Sequence, residues 1–130
     1  MTVPFTCVAI AFVFLYVSKF PVGLAMARMP KGYDNRHPRD QQAQLTGWGK
    51  RALAAHQNGF ESFPAFASAV LVSHVGGGDP SLSATLAIAY VAARVAYTVA
   101  YIADVHLLRS TIWSVGMLST LGLFLLPGFR

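Results

Sequence analysis

A chain of 130 residues suffices for one domain, but 55% of it is hydrophobic and only 12% charged, against the about 25% charged that soluble domains carry. This excludes an ordinary soluble fold. The net charge of +5 would suggest nucleic acid in a soluble protein; here the basic residues cluster beside particular loops, so they read as topology signals and nucleic acid is excluded as a partner.

Four apolar runs organise the chain: Val3 to Ala27 interrupted by Lys19, Phe60 to Val75 by Glu61, Leu82 to Ala103 by Arg94, and Thr111 to Phe129 without a charge. Each is close to the ~20 residues with which a helix crosses ~30 Å of hydrocarbon. The fold class is therefore all-α, an integral membrane four-helix bundle, and residues 1–130 form a single domain.

The first helix is expected from Pro4 to about Ala27, kinked by Pro21, with Lys19 snorkelling or facing the bundle. MTVPFTCVAI lacks the basic start of a signal peptide, so the segment reads as a mature helix, with Cys7 as a small apolar residue in it. KGYDNRHPRDQQ follows as a structured loop, with turn chemistry from Asp34, Asn35 and Pro38. Tyr33, Asn35 and Arg36 either line a site mouth or tie this loop to the second helix, the latter being favoured.

The second helix is placed from near Gln42 through Lys50 and Arg51, entering lipid around Ala54 and ending at GGGDPS. Asp79, Pro80 and Ser81 give the third helix a capped start. DVHLLRS then joins the third and fourth helices as an antiparallel hairpin. Arg28, Lys31, Arg36, Arg39, Lys50 and Arg51 lie in or beside the first loop and Arg109 in the third, whereas VGGGDPS carries no Lys or Arg and only Arg130 falls on that side. The positive-inside rule puts the first and third loops in the cytoplasm and both termini opposite.

Polar residues inside apolar runs are costly in lipid and mark where function or partners lie. In HQNGFESFPAF, residues 56–66, Asn58 and Glu61 stand three apart ahead of a proline. At about 100° per residue, Arg51 and Asn58 are nearly eclipsed and Glu61 lies about 60° further round. Arg94, Tyr97, Tyr101 and Asp104 share one face of the third helix. The plainer reading is a buried Glu61–Arg94 ion pair with tyrosines hydrogen-bonding nearby, and Arg109 as a topology determinant. His56 and His106 read as interfacial and His37 as solvated. No His or Cys pair has metal-ligand spacing.

Read together, these stretches resemble the MAPEG family, the membrane-associated proteins of eicosanoid and glutathione metabolism. HQNGFESFPAF resembles its second-helix pattern, ARVAYTVAY at 93–101 is similar to its third-helix stretch, and Arg109, Ser110 and Trp113 look like the start of its fourth helix. The loop KGYDNRHPRD is similar to a bacterial branch, which implies a bacterial inner membrane.

The resemblance implies a homotrimer of four-helix protomers in the lipid bilayer, with glutathione bound between subunits near the cytoplasmic face. It assigns Asn58, Glu61, Arg94 and Tyr101 to glutathione contacts, Tyr101 orienting sulfur or substrate, and Arg109 to stabilising the thiolate; Arg51 joins the site as a substitute for a family arginine if its side chain reaches, and Tyr97 as the occupant of a family site position. Arginines suit the carboxylates of glutathione and Glu61 its ammonium. The activity implied is a glutathione-dependent transferase or peroxidase acting on a lipophilic small-molecule electrophile.

Two departures weigh on this. Ala54 stands where the enzymes carry an arginine, and Tyr97 where the family's prostaglandin synthase carries a histidine. The rival from another class is a non-enzymatic scaffold or accessory subunit of a larger membrane complex. A channel is disfavoured, because no helix repeats charges along a pore-like stripe.

Overall fold

The structure is a computed structural model, and it describes residues 1–129. Every regular element among them is helical: α1 (Val3–Val17), α2 (Lys19–Ala27), α3 (Pro38–Ala43), α4 (Gly47–Val75), α5 (Pro80–Ile102), α6 (His106–Leu125) and a closing 3₁₀ turn at Leu126–Phe129. Arg130, expected to sit opposite the basic loops, lies outside the described residues.

α1 and α2 are one apolar run broken at Ser18. The break falls where a proline at position 21 requires it: Pro21 offers no N–H to the carbonyl of Val17, and its ring crowds that carbonyl. At the break itself, Ser18 donates its hydroxyl to the Leu15 carbonyl at 2.7 Å.

The loop that follows is ordered, as expected, but it contains the short helix α3, which begins at Pro38. Gln41 organises it from within. Its side-chain nitrogen donates to the carbonyls of Gly32 (2.7 Å) and Met26 (3.4 Å), and its oxygen accepts from the Asp34 amide (2.9 Å). Asp34 accepts in turn from the amides of His37 and Arg36. The His37 amide above all, with that of Arg36, holds the Asp34 carboxyl below its ordinary range against the opposing effect of desolvation.

Three boundaries differ from the sequence reading. α4 starts at Gly47 rather than near Gln42, because Gly47 adopts φ 57° and separates it from α3. α6 starts at His106, so most of the supposed loop DVHLLRS is helix. Asp104, placed by its spacing on the α5 face, lies past the helix end with φ 63°. There it belongs to a Schellman turn: the Val105 amide donates to Ala100 and the Asp104 amide to Tyr101. The start of α5 is as read, with Asp79 accepting from the Leu82 amide at 2.8 Å and Pro80 in the first turn.

Among the described residues, three helical runs are long and apolar enough to cross a membrane: Val3–Ala27, Pro80–Ile102 and His106–Phe129. The sequence reading counted four spans. α4 is longer than any of them at 29 residues, but its first half carries Lys50, Arg51, His56, Gln57, Asn58 and Glu61, which keeps it outside that group.

Two apolar clusters hold the bundle. One gathers Cys7, Ala11, Phe66, Ala69, Val70, Ala87, Tyr90 and Leu123 from α1, α4, α5 and α6. The other gathers Val22, Ala25, Met26, Leu45 and Ala52 on the loop side, where Arg28 also lies over the Trp48 ring at 5.9 Å. Small residues bring α2 and α4 close, as is common where helices pack without water to drive them together. A Cβ on Gly49 would stand 2.7 Å from that of Ala25. Gly49→Ala should therefore force the two backbones apart and cost about 1–3 kcal/mol. Gly23→Ala, whose added carbon meets nothing within 4 Å, should instead be neutral or raise stability by up to about 1 kcal/mol. Thermal unfolding of both variants in detergent checks the pair.

Candidate functional site

Between the two apolar clusters the bundle carries a polar layer. Its centre is Arg94 on α5, only 7% exposed. An unpaired charge there would be costly, and the bundle meets it from α4, where Ala55, Asn58, Gly59 and Ser62 recur at helical spacing. Arg94 Nη1 donates to Asn58 Oδ1 at 2.9 Å, and Asn58 Nδ2 donates to Glu61 Oε2 at 3.2 Å. The ion pair considered from the sequence is thus replaced by a relay: the amide orients its oxygen to the cation and its nitrogen to the carboxylate. Glu61 itself is exposed on the protomer surface.

Gly59 leaves room for this arrangement. A Cβ there would press to 3.1 Å from Leu15 Cδ2 and come within 4.0 Å of Arg94 Nη2. A small void of about 20 Å³ borders Arg94, Gly59, Ser18, Tyr90 and Thr98. It has the volume of one water molecule.

From Arg94 the polar face continues along α5 toward α6. The Arg94 guanidinium lies over the Tyr97 ring at 4.4 Å. Tyr97 meets Tyr101 edge to face at 5.6 Å, and Arg109 lies over Tyr101 at 4.5 Å. Two cations therefore flank two electron-rich rings, an attractive arrangement when partly desolvated. Tyr97 is buried, whereas Tyr101 and Arg109 are half-buried and border an open groove of about 220 Å³ with Ser110 and Trp113.

Of the residues singled out from the sequence, Asn58, Glu61, Arg94, Tyr97, Tyr101 and Arg109 thus form one connected series. Arg51 is engaged elsewhere: its Nε donates to the Ile102 carbonyl at 3.1 Å. This completes the C-terminus of α5, whose preceding carbonyls at Val99, Ala100 and Tyr101 are taken by Ala103, Val105 and Asp104. Ala54, one turn before Asn58 on α4, offers no cation in its place.

The sequence reading missed two polar pairs of the same layer. The Ser62 hydroxyl and Tyr90 hydroxyl are 2.9 Å apart, with the Tyr90 ring stacked on Phe66 at 3.8 Å. Ser62 lies four residues after Asn58 and Tyr90 four before Arg94, so extending both stripes by one turn would have found them. The second pair, Ser18 with His56 Nδ1 at 2.8 Å, left no such periodic signal, because it depends on the helix break at Ser18.

Compared with known proteins, the chain matches the model of the MAPEG family over residues 3–129. A comparison with curated proteins finds no match.

Removing the amide should expose how far the layer depends on it. Asn58→Ala leaves a buried guanidinium without its acceptor, and loss of a hydrogen bond to a charged group costs about 1.5–3 kcal/mol. In a double-mutant cycle with Arg94→Met, unfolding in detergent should give a coupling of at least about 1 kcal/mol. Additive effects would mean that the 2.9 Å contact contributes nothing.

Proposed function

The chain belongs to the MAPEG family, and on that premise we propose that it is a membrane glutathione-dependent transferase or peroxidase acting on lipophilic electrophiles. The observation that carries this reading is the continuous series from Glu61 through Asn58, Arg94, Tyr97 and Tyr101 to Arg109. It offers a carboxylate at one end and a guanidinium beside an open groove at the other.

The donor set fits the chemistry of the tripeptide. Glutathione supplies a nucleophilic thiol and carries two carboxylates and one ammonium. Glu61 is the group to hold the ammonium, Asn58 the peptide, and Arg94 a carboxylate. Arg109 provides positive charge where sulfur would be held, favouring the thiolate over the thiol. Tyr101, half-buried against Arg109, orients the sulfur or the acceptor, and Tyr97 keeps Arg94 in place. Apolar helix surfaces exposed toward lipid give a lipophilic acceptor a lateral route and hold it near the nucleophile.

The groove beside Arg109, about 220 Å³, is smaller than the roughly 300–1,000 Å³ of sites that enclose a small molecule. This supports a homotrimer in which a neighbouring copy supplies the remaining wall. We place the protein in a bacterial inner membrane, with α4 as a fourth span and both termini opposite the basic loops.

One observation favours the second reading, a non-enzymatic subunit: Arg51 is committed to the α5 terminus and Ala54 leaves no substitute. Calorimetry of the detergent-purified protein separates the two. Glutathione at up to millimolar concentration should release heat, and Arg109→Ala should keep binding while losing the thiolate absorbance at neutral pH. Absence of heat would favour the non-enzymatic subunit, and an unchanged thiolate signal in the variant would remove Arg109 from its role.

A further inference from the structure

The face of α4 turned away from Arg94 carries a second polar feature that the glutathione reading does not use. At about 100° per residue, Leu53, His56, Gln57 and Phe60 lie on the opposite side of the helix from Ala55, Asn58 and Ser62. They form one wall of a cleft of about 470 Å³, closed by Lys19 at the start of α2 and by Arg39 and Gln42 on α3. Its volume falls in the range of about 300–1,000 Å³ typical of ligand sites.

The charges in this cleft are of one sign. Lys19 and Arg39 are close enough to repel each other, and none of the described acidic residues, Asp34, Asp40, Glu61, Asp79 and Asp104, borders the cleft. Lys19 is moreover inside an apolar run, eight residues before its end at Ala27, about 12 Å along the helix axis. A cation at that depth is retained at a cost unless it meets an anion or reaches the interface. Gln42 and Gln57 add neutral donors, whereas His56 is engaged with Ser18 through Nδ1.

The surroundings identify the kind of anion. Phe20, next to Lys19, is 73% exposed, and Phe60 in the cleft wall is 43% exposed. Tyr16, 59% exposed, meets Phe60 edge to face at 6.1 Å. Exposed aromatics beside basic residues are characteristic of the membrane interface; Tyr16, which precedes Lys19, and Phe60, which follows His56 and Gln57 on α4, lie farther from the basic loop and give an acyl chain an apolar surface. A soluble anion would have no use for that surface.

We propose that the cleft between α2, α3 and α4 binds the headgroup phosphate of an anionic membrane lipid, with Lys19 and Arg39 pairing its charge and Gln42 and Gln57 donating hydrogen bonds to its oxygens. The acyl chains run along Phe60 and Tyr16. The site stands independently of the glutathione reading, from which it is separated by the body of α4.

Native mass spectrometry during stepwise delipidation tests it, with the full chain extracted from nanodiscs containing phosphatidylglycerol and phosphatidylcholine in equal amounts. Phosphatidylglycerol should be retained over phosphatidylcholine by about tenfold. Lys19→Gln combined with Arg39→Gln should abolish the preference. Because Lys19 lies within a helix, Arg39→Glu alone, on the exposed α3, serves as the variant that leaves the bundle intact, and it should have the same effect. Glu61→Gln should retain the lipid while weakening glutathione. Equal retention of both lipids, or undiminished preference in Arg39→Glu, would overturn the proposal. So would displacement of the lipid by millimolar inorganic phosphate, which would make this a free-anion site, or displacement by glutathione, which would make it part of the other site.

Discussion

The bundle is organised around one electrostatic constraint, a guanidinium held among helices that are otherwise apolar. Insertion-based scales put a charge at the centre of a membrane helix at about 2.5–3.5 kcal/mol. The hydrogen bond from Arg94 to Asn58 contributes about 1.5–3 kcal/mol, and its position over the Tyr97 ring about 1–2 kcal/mol. These magnitudes are of the same order, so the cation is tolerated only in this geometry. The register of α4 against α5 follows from it, since a shift by one residue would take Asn58 off the face that Arg94 meets. Gly59 belongs to the same constraint, because the guanidinium occupies space that any side chain there would approach.

Much of this was legible in the sequence because it is periodic. Apolar runs, the Asp79–Pro80 start of α5 and the shared faces of Asn58 with Glu61 and of Arg94 with Tyr97 and Tyr101 all follow from spacing alone. What escaped depends on contacts between distant segments or on a single backbone angle. Gly47 and Asp104, both with positive φ, set the start of α4 and the turn after α5. Hydropathy blurred both places: polar α3 reads as a leader to α4, and Leu107 and Leu108, in the first turn of α6, read as part of a loop. The replacement of an ion pair by an amide relay was invisible for another reason. A helical wheel shows that Glu61 and Arg94 can approach, but not that Asn58 stands between them.

Arg51 shows how a correct face can yield the wrong role. It is nearly eclipsed with Asn58, which made it a natural candidate for the same ligand. Yet it lies two turns nearer the loop, level with the end of α5, where one carbonyl remains after the Schellman turn has used its neighbours. A guanidinium is a strong partner for such a group, and the contact ties α4 to the end of the α5–α6 hairpin. The residue is thus explained by helix-end accounting.

That accounting bears on the charge balance of the glutathione reading. Glutathione with its thiol protonated carries one net negative charge, and as thiolate it carries two. Arg94 and Arg109 supply two positive charges and Glu61 one negative, so a protomer offers a net of one positive charge along this series. The thiol form is matched, and the thiolate is one charge short. On the proposed glutathione reading, a further cation would come from outside the series, either from Arg51 on release of the Ile102 carbonyl or from a neighbouring copy across the groove that Arg109 borders. The first route would loosen the end of α5, and the second costs the protomer nothing. On charge alone, an assembly that completed the groove under the proposed reading would also be one that made the thiolate stable.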